Sequence, residues 1–228
     1  KESGAKRFIY ASTCSVYGVS DAESVTEEHP LVPITDYNKY KGLCEPILLK
    51  YQSPDFTTVI IRPATVCGYS PRQRFDLTVN ILTNHAFNTH RITVFGGTQT
   101  RPNIHIEDIT DLYLMLLELP DKQIAGKIYN AGYQNCSVSD IAQIVRNVVT
   151  GECPKQESIE VVTLASDDRR SYRISSEKIK KELGYVPSRS IEDAVRDLIA
   201  AFQAGKLPDS MSDIRYYNIK TMKALKLK

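Results

Sequence analysis

Apolar and polar positions along the chain fall into short apolar runs separated by longer stretches with an apolar residue at every third or fourth place. Arg7-Phe8-Ile9-Tyr10-Ala11 and Phe56-Thr57-Thr58-Val59-Ile60-Ile61 read as buried strands, the second rich in β-branched residues. Ile92 to Phe95, Lys127 to Gly132 and Ile159 to Leu164 read as three more, and Ile104-His105-Ile106 as an alternating strand. Helical spacing opens at Thr35 or Asp36, and again in a segment holding Leu77, Ile81, Leu82 and Phe87 that Asp76 is placed to cap. Further helices are predicted over Asp108 to Leu119, closed by Pro120; after Ser137 or Ser139; over Ser176 to Leu183, closed by Gly184; and over Ser190 to Phe202. Pro46 lies inside the first helix. Residue i−4 is Gly42, which leaves its ring the most room, so a kink is expected rather than an end. Residues 19–33 hold acids, two prolines and no period, and read as a surface loop, while the tail past Pro208 carries little signal. Strands alternating with helices indicate an α/β fold.

Charge adds little to this picture, and that is informative. The 228 residues carry 29 basic and 27 acidic side chains, a net +2, which argues for neither nucleic acid nor an anionic membrane as a partner. Lys220, Lys223, Lys226 and Lys228 read as a solvated helix face. The longest apolar stretch, Leu112 to Leu119, is too short to cross a bilayer, and no secretory signal opens the chain. Five cysteines without a C-x-x-C pair point to reduced thiols and a cytoplasmic location, with Cys14 the one placed to touch a site. No histidine or carboxylate cluster has ligand spacing, so no metal site is expected.

Chemistry concentrates between Ser12 and Lys41. The first strand delivers Ser12 and Thr13 at its end, where ligands sit in open α/β sheets. If the following helix opens at Thr35 or Asp36, Tyr37 and Lys41 are i and i+4 neighbours on one face. At roughly 5 Å and an effective dielectric of about 20, an ammonium favours a phenolate by about 3 kcal/mol, enough for proton exchange at about pH 7.5. A Tyr-x-x-x-Lys spacing alone is weak evidence; its company strengthens it.

That company is Thr13 and Val16-Tyr17-Gly18, then Arg62-Pro63-Ala64-Thr65-Val66, then Arg101 to Ile106 with Asp108, then Leu183-Gly184-Tyr185. In this order and spacing the chain resembles the extended short-chain dehydrogenase/reductases, specifically the NAD-dependent nucleotide-sugar epimerases and dehydratases. The resemblance implies the C-terminal part of a doubly wound, Rossmann-type parallel sheet with a small α/β substrate lobe. It divides the chain into residues 1–68, holding Thr13, Tyr37 and Lys41, and residues 69–228, of which 102–150 partly return to the main sheet.

The resemblance also implies roles. Tyr37 moves the proton of a sugar hydroxyl, Lys41 supports it and contacts the nicotinamide ribose, and Thr13 bonds the sugar oxygen. Pro63 and Ala64 lie beside the nicotinamide; Asn80, Arg101 and Arg169 hold the nucleotide diphosphate. NAD is the implied cofactor, NADP not being excluded, a nucleotide sugar the implied substrate, and a homodimer the implied assembly. Dehydratases of this branch carry Thr-Asp-Glu where this chain has Thr13-Cys14-Ser15, so an epimerase is the preferred reading and a reductase or dehydrogenase the alternative. No glycine-rich phosphate loop occurs and residue 1 is a lysine, so the chain reads as starting after the first strands of such a sheet, which keeps a non-catalytic substrate-binding fragment open as well.

Overall fold

The structure is a computed structural model and describes residues 2–154, 158–166 and 171–226. Strand β1 (Arg7–Ala11) runs into a 3₁₀ turn, Cys14–Tyr17, and then to α1 (Asp36–Leu49). Strands β2 (Thr57–Pro63) and β3 (Thr65–Cys67) follow, then α2 (Thr78–Thr89), β4 (Arg91–Phe95), β5 (Thr100–His105), α3 (Ile106–Glu118) and α4 (Asp121–Ile124). The chain continues through β6 (Lys127–Ala131), β7 (Gln134–Ser137), α5 (Val138–Glu152), β8 (Glu160–Leu164), α6 (Glu177–Leu183), α7 (Ile191–Gln203) and α8 (Asn218–Ala224).

Among the described residues three sheets form, in strand orders β1-β2-β6, β3-β5-β7 and β4-β8. The first is wholly parallel, with Ala11 beside Ile61 and Pro63 beside Ala131, so three carboxyl ends finish at one edge. Its middle strand carries Val59, Ile60 and Ile61 fully buried, as a parallel strand covered on both faces requires. β6 thus rejoins the sheet begun by β1, while β4 and β8 pair in parallel elsewhere. One core gathers Val59, Ile61, Leu112, Leu116 and Tyr129; another joins α2, α5 and α7 through Leu82, Val145 and Val195. Helices α5 and α7 open with reciprocal caps, Ser137 with Asp140 and Ser190 with Asp193. Among the described residues no helix is long and apolar enough to cross a membrane.

Several expectations change. β1 is an edge strand rather than a buried one: among the described residues it pairs only with β2, and Phe8 is 46% exposed. Asp76 does not cap α2; Leu77 occupies that place, and Asp76 instead pairs with Arg74 and accepts from the Asn218 amide. Helix α3 begins two residues early because the His105 ring accepts from the Glu107 amide, a cap that the sequence disguised as a strand residue. The tail is not featureless, since Tyr217 joins Phe75, Leu198 and Leu207 in a third apolar cluster and α8 follows it.

Helix α1 continues through Pro46 to Leu49, and its inner face carries a charge. Glu45, 2% exposed, receives two bonds from Arg62 of β2, Nε at 3.0 Å and Nη2 at 2.6 Å, and a third from the Ser12 hydroxyl at the end of β1. One carboxylate therefore ties α1 to two strands. Removing one partner of a sealed ion pair strands the other charge, so Arg62→Met should cost about 3–5 kcal/mol in urea unfolding, and Arg62→Met with Glu45→Leu markedly less than the sum of the single losses. A single-variant loss below about 1 kcal/mol, the range of an exposed pair, would contradict this assignment.

Candidate active site

The site grows from the end of β1. The Ser12 amide still donates to Ile61 O at 2.8 Å, as a strand residue would, and Thr13 then turns the chain. Its backbone is extended, and its Oγ1 accepts from Ser15 N at 3.2 Å, capping the 3₁₀ turn. Gly18 closes that turn with φ +72°, where a Cβ would stand 2.0 Å from Val32 O, so only glycine fits. Thr13 Oγ1 also lies 2.9 Å from Ser15 Oγ, which donates to Asn38 Oδ1 at 2.6 Å. Thr13 is thereby linked to the first turn of α1.

That turn presents Tyr37, and the next presents Lys41. Thr35 caps the helix by accepting from the Asn38 amide, which sets the start of α1 and so the direction of Tyr37. Lys41 Nζ donates to Ala11 O at 2.7 Å and sits 5.1 Å from the Tyr10 ring centroid and 6.0 Å from that of Tyr37. An ammonium has three donors, and the strand end takes one. Tyr37 is 59% exposed, so its phenol is open to a ligand. Pro63 and Ala64 close β2 on the same edge, with Ala64 N donating to Ala131 O at 2.8 Å. Thr13, Lys41 and Pro63 therefore lie at the carboxyl ends of parallel strands, where open α/β sheets bind ligands, with Tyr37 one turn before Lys41, while Ala64 is buried in the core below.

Directly behind them is a sealed polar network. Arg62 Nη1 donates to Tyr17 Oη at 2.7 Å, Tyr17 donates to Asn130 Oδ1 at 2.8 Å, and Glu27 accepts from Asn130 N at 2.7 Å. Burial opposes charge on Arg62, but its bonds to Glu45 and Tyr17 outweigh this and hold the guanidinium charged. Cys14 belongs to the same layer: its thiol is fully buried, donates to Arg62 O at 2.8 Å, and does not face the site as expected. Sequence reasoning missed Glu45, Tyr17 and Asn130. Glu45, four residues after Lys41 and directly before Pro46, was the available signal.

Two further residues assigned to substrate, Arg101 and Asn80, sit on β5 and α2. Arg101, on β5, borders a cleft of about 340 Å³ with Asp76, His85, Thr93 and Phe95, and its Nη1 donates to Thr100 O at 3.2 Å. Burial, and then Lys220, push the His85 pKa down, leaving a neutral imidazole in that wall. Asn80 is neither solvent-facing nor open to a ligand: its Oδ1 accepts from Gly68 N at 3.0 Å and its Nδ2 donates to Arg74 O at 3.1 Å. His105 is buried, with Nε2 3.2 Å from an Asp197 carboxylate oxygen. Arg169 lies outside the described residues. Among the described residues no group of three or more metal-ligating side chains comes together.

Comparison with known proteins gives the family and the fold. The model of the NAD dependent epimerase/dehydratase family matches residues 1–132. UDP-arabinose 4-epimerase 1 of Arabidopsis thaliana is 27% identical over 203 residues, covering 80% of this chain and 47% of its own length. UDP-glucose 4-epimerase of Bacillus subtilis is 25% identical over 218 residues, covering 85% and 62%. Among solved structures, UDP-glucuronic acid 4-epimerase from Bacillus cereus, crystallised with UDP-glucuronic acid and NAD, superposes with a TM-score of 0.74 at 28% identity, over 87% of this chain and 62% of that one. DesIV, a dTDP-glucose 4,6-dehydratase from Streptomyces venezuelae, superposes at 0.76 with 22% identity, over 92% and 64%, which speaks for the fold alone. This chain spans about half to three fifths of the length of the curated relatives it matches.

The inert position of Cys14 can be checked. Burial raises the thiol pKa of Cys14, and pushes that of Cys67 up to about 12, whereas Cys44 is exposed. Iodoacetamide should label Cys44 in the folded protein and reach Cys14 and Cys67 only after denaturation, as read by peptide mass mapping. Because the folded values lie above the unfolded ones, the stability these thiols support is complete below about pH 8.5 and is lost as pH rises beyond it. Labelling of Cys14 as fast as Cys44 would place its thiol outside the core.

Proposed function

This chain belongs to the NAD dependent epimerase/dehydratase family, and from that premise we propose that it acts as an NAD-dependent epimerase of a nucleotide-activated sugar, working through a keto-sugar. The observation that carries the reading is the Lys41 ammonium anchored on Ala11 O at the strand end, one helical turn from an exposed Tyr37 phenol. The residues present fit a nicotinamide nucleotide: Lys41 has two donors beyond its bond to Ala11 for ribose hydroxyls, and Pro63 and Ala64 offer a rigid apolar strand end. When bound, NAD supplies the hydride acceptor and donor.

Each side chain then has a task. Tyr37 takes the proton from the sugar hydroxyl as its carbon loses hydride and gives it back when hydride returns to the opposite face, so no proton is gained or lost overall. Lys41 stabilises the phenolate and positions the ribose. Thr13 donates to the sugar oxygen as it becomes a ketone. Arg101, from the wall of its cleft, and Arg169 hold the diphosphate while the keto-sugar turns. Asn80 serves this indirectly, by fixing residues 68–74 through its two backbone bonds. Dehydration is disfavoured, since Cys14 faces the core, Ser15 is bonded to Thr13 and Asn38, and no carboxylate stands at either position. Tyr40, Leu43 and Ile47, exposed along α1, are the surface we assign to a homodimer.

UDP-glucose, UDP-glucuronic acid and UDP-arabinose, each incubated with a catalytic amount of NAD and separated by chromatography, provide the test. One of them should convert to its epimer without net NADH; stoichiometric formation or consumption of NADH would instead indicate a dehydrogenase or reductase. Tyr37→Phe should lower kcat by about 10²- to 10⁴-fold and change KM by less than about threefold, whereas equal losses in both would remove Tyr37 as the proton carrier.

A further inference from the structure

Asn38 holds an arrangement that the reaction as described leaves unused. It is 1% exposed, its Oδ1 accepts the Ser15 hydroxyl proton at 2.6 Å, and its Nδ2 is a buried donor with no hydrogen-bond partner. Ser15 Oγ lies 2.9 Å from Thr13 Oγ1. Ser15 owns one hydroxyl proton, and with it committed to Asn38 the contact to Thr13 must be a donation from Thr13 to Ser15. Thr13 then faces the site with a lone pair alone and cannot donate to a ketone oxygen.

A half-turn of the amide about its last torsion exchanges oxygen and nitrogen with almost no change in shape. Nδ2 would then donate to Ser15, Ser15 would donate to Thr13, and the Thr13 proton would be released toward the site. The same turn pairs one of the two N–H groups of this buried amide and leaves a carbonyl lacking a partner, which is tolerated more readily. Both the chemistry and the burial favour the turned amide.

We propose that Asn38 is a positioning residue which, through Ser15, fixes the direction of the Thr13 hydroxyl proton and makes Thr13 a donor to the substrate oxygen. This rests on the epimerase reading for its purpose, but not for its geometry. With the amide turned, the relay ends at Thr13 Oγ1, which accepts from both Ser15 N and Ser15 Oγ and spends its own proton on the ligand.

Two measurements on the full chain test it, the first without any substrate. In ¹⁵N–¹H spectra one Asn38 Nδ2 proton should exchange slowly with solvent, and Ser15→Ala, which removes its acceptor, should speed that exchange by about tenfold or more. Unchanged exchange in Ser15→Ala would overturn the relay. The second uses whichever of UDP-glucose, UDP-glucuronic acid or UDP-arabinose is turned over. Asn38→Asp, whose carboxylate only accepts, should lower kcat by about tenfold with KM within about threefold, and should lower it no further in a Ser15→Ala background, where there is nothing left to relay. Losses that simply multiply in the double variant would show a structural role and overturn the proposal. If none of the three sugars is turned over, the epimerase reading fails, and the exchange measurement still decides the relay.

Discussion

Arg62 and Glu45 meet in a fully desolvated contact between β2 and α1, and the geometry of everything reactive follows from it. Taking both charges out of water cancels most of their attraction, so the pair adds little net stability while tolerating no misalignment. Its planar, two-bond geometry fixes the rotation of α1 about its own axis. In an α-helix each step of four residues turns the side chain by about 40°. With Glu45 locked inward, Lys41 must stand at the rim and Tyr37 beyond it in the open. The observed gradient is that one: Glu45 buried, Lys41 half-buried, Tyr37 exposed. Asn38 and Gly42 share the inward face with Glu45, and both are buried.

The same pair organises the strand side. Glu45 accepts from Ser12, so the residue before Thr13 is held by the anchor that orients Tyr37 and Lys41. Tyr17, Asn130 and Glu27 continue the network from Arg62 to β6 and to the loop over residues 19–33, which is therefore no mere surface loop: Val25 is fully buried and bridges to Ile174. The phenol we propose as the proton carrier faces outward, and Arg62 and Glu45 are paired behind it. Buried thiols and phenols in that layer are raised in pKa and stay neutral.

Much of this was legible in the residues themselves. Periodicity with caps and glycine stops located α5, α6 and α7 and the strands β2, β4, β6 and β8, while α1 was placed by its opening at Thr35 or Asp36 and the Tyr37–Lys41 spacing. It failed where side chains override pattern. His105 caps a helix from within an alternating run, Asp76 is drawn away from its cap by Arg74 and Asn218, and α8 follows a stretch whose anchoring contact, Tyr217 on Phe75, spans more than a hundred positions. Thr13, Tyr37 and Lys41 could be singled out because a strand end and an i, i+4 spacing are local. Glu45, Arg62, Tyr17 and Asn130 come from four separate segments, and only the packed chain shows that they touch. Asn80 looked like a ligand contact for a similar reason: nothing near it in sequence reveals that both ends of its amide are already bonded to the backbone.

We place Thr13, Tyr37 and Lys41 around one ligand position at the ends of β1 and β2. Crystals soaked with NAD and UDP-glucuronic acid test it most directly. Nicotinamide density is expected against Pro63 and Ala64, with Lys41 Nζ on the ribose and the Tyr37 oxygen within about 3.2 Å of a ribose or sugar hydroxyl. Density confined to another part of the molecule, or a Tyr37 phenol turned away from both ligands, would contradict it.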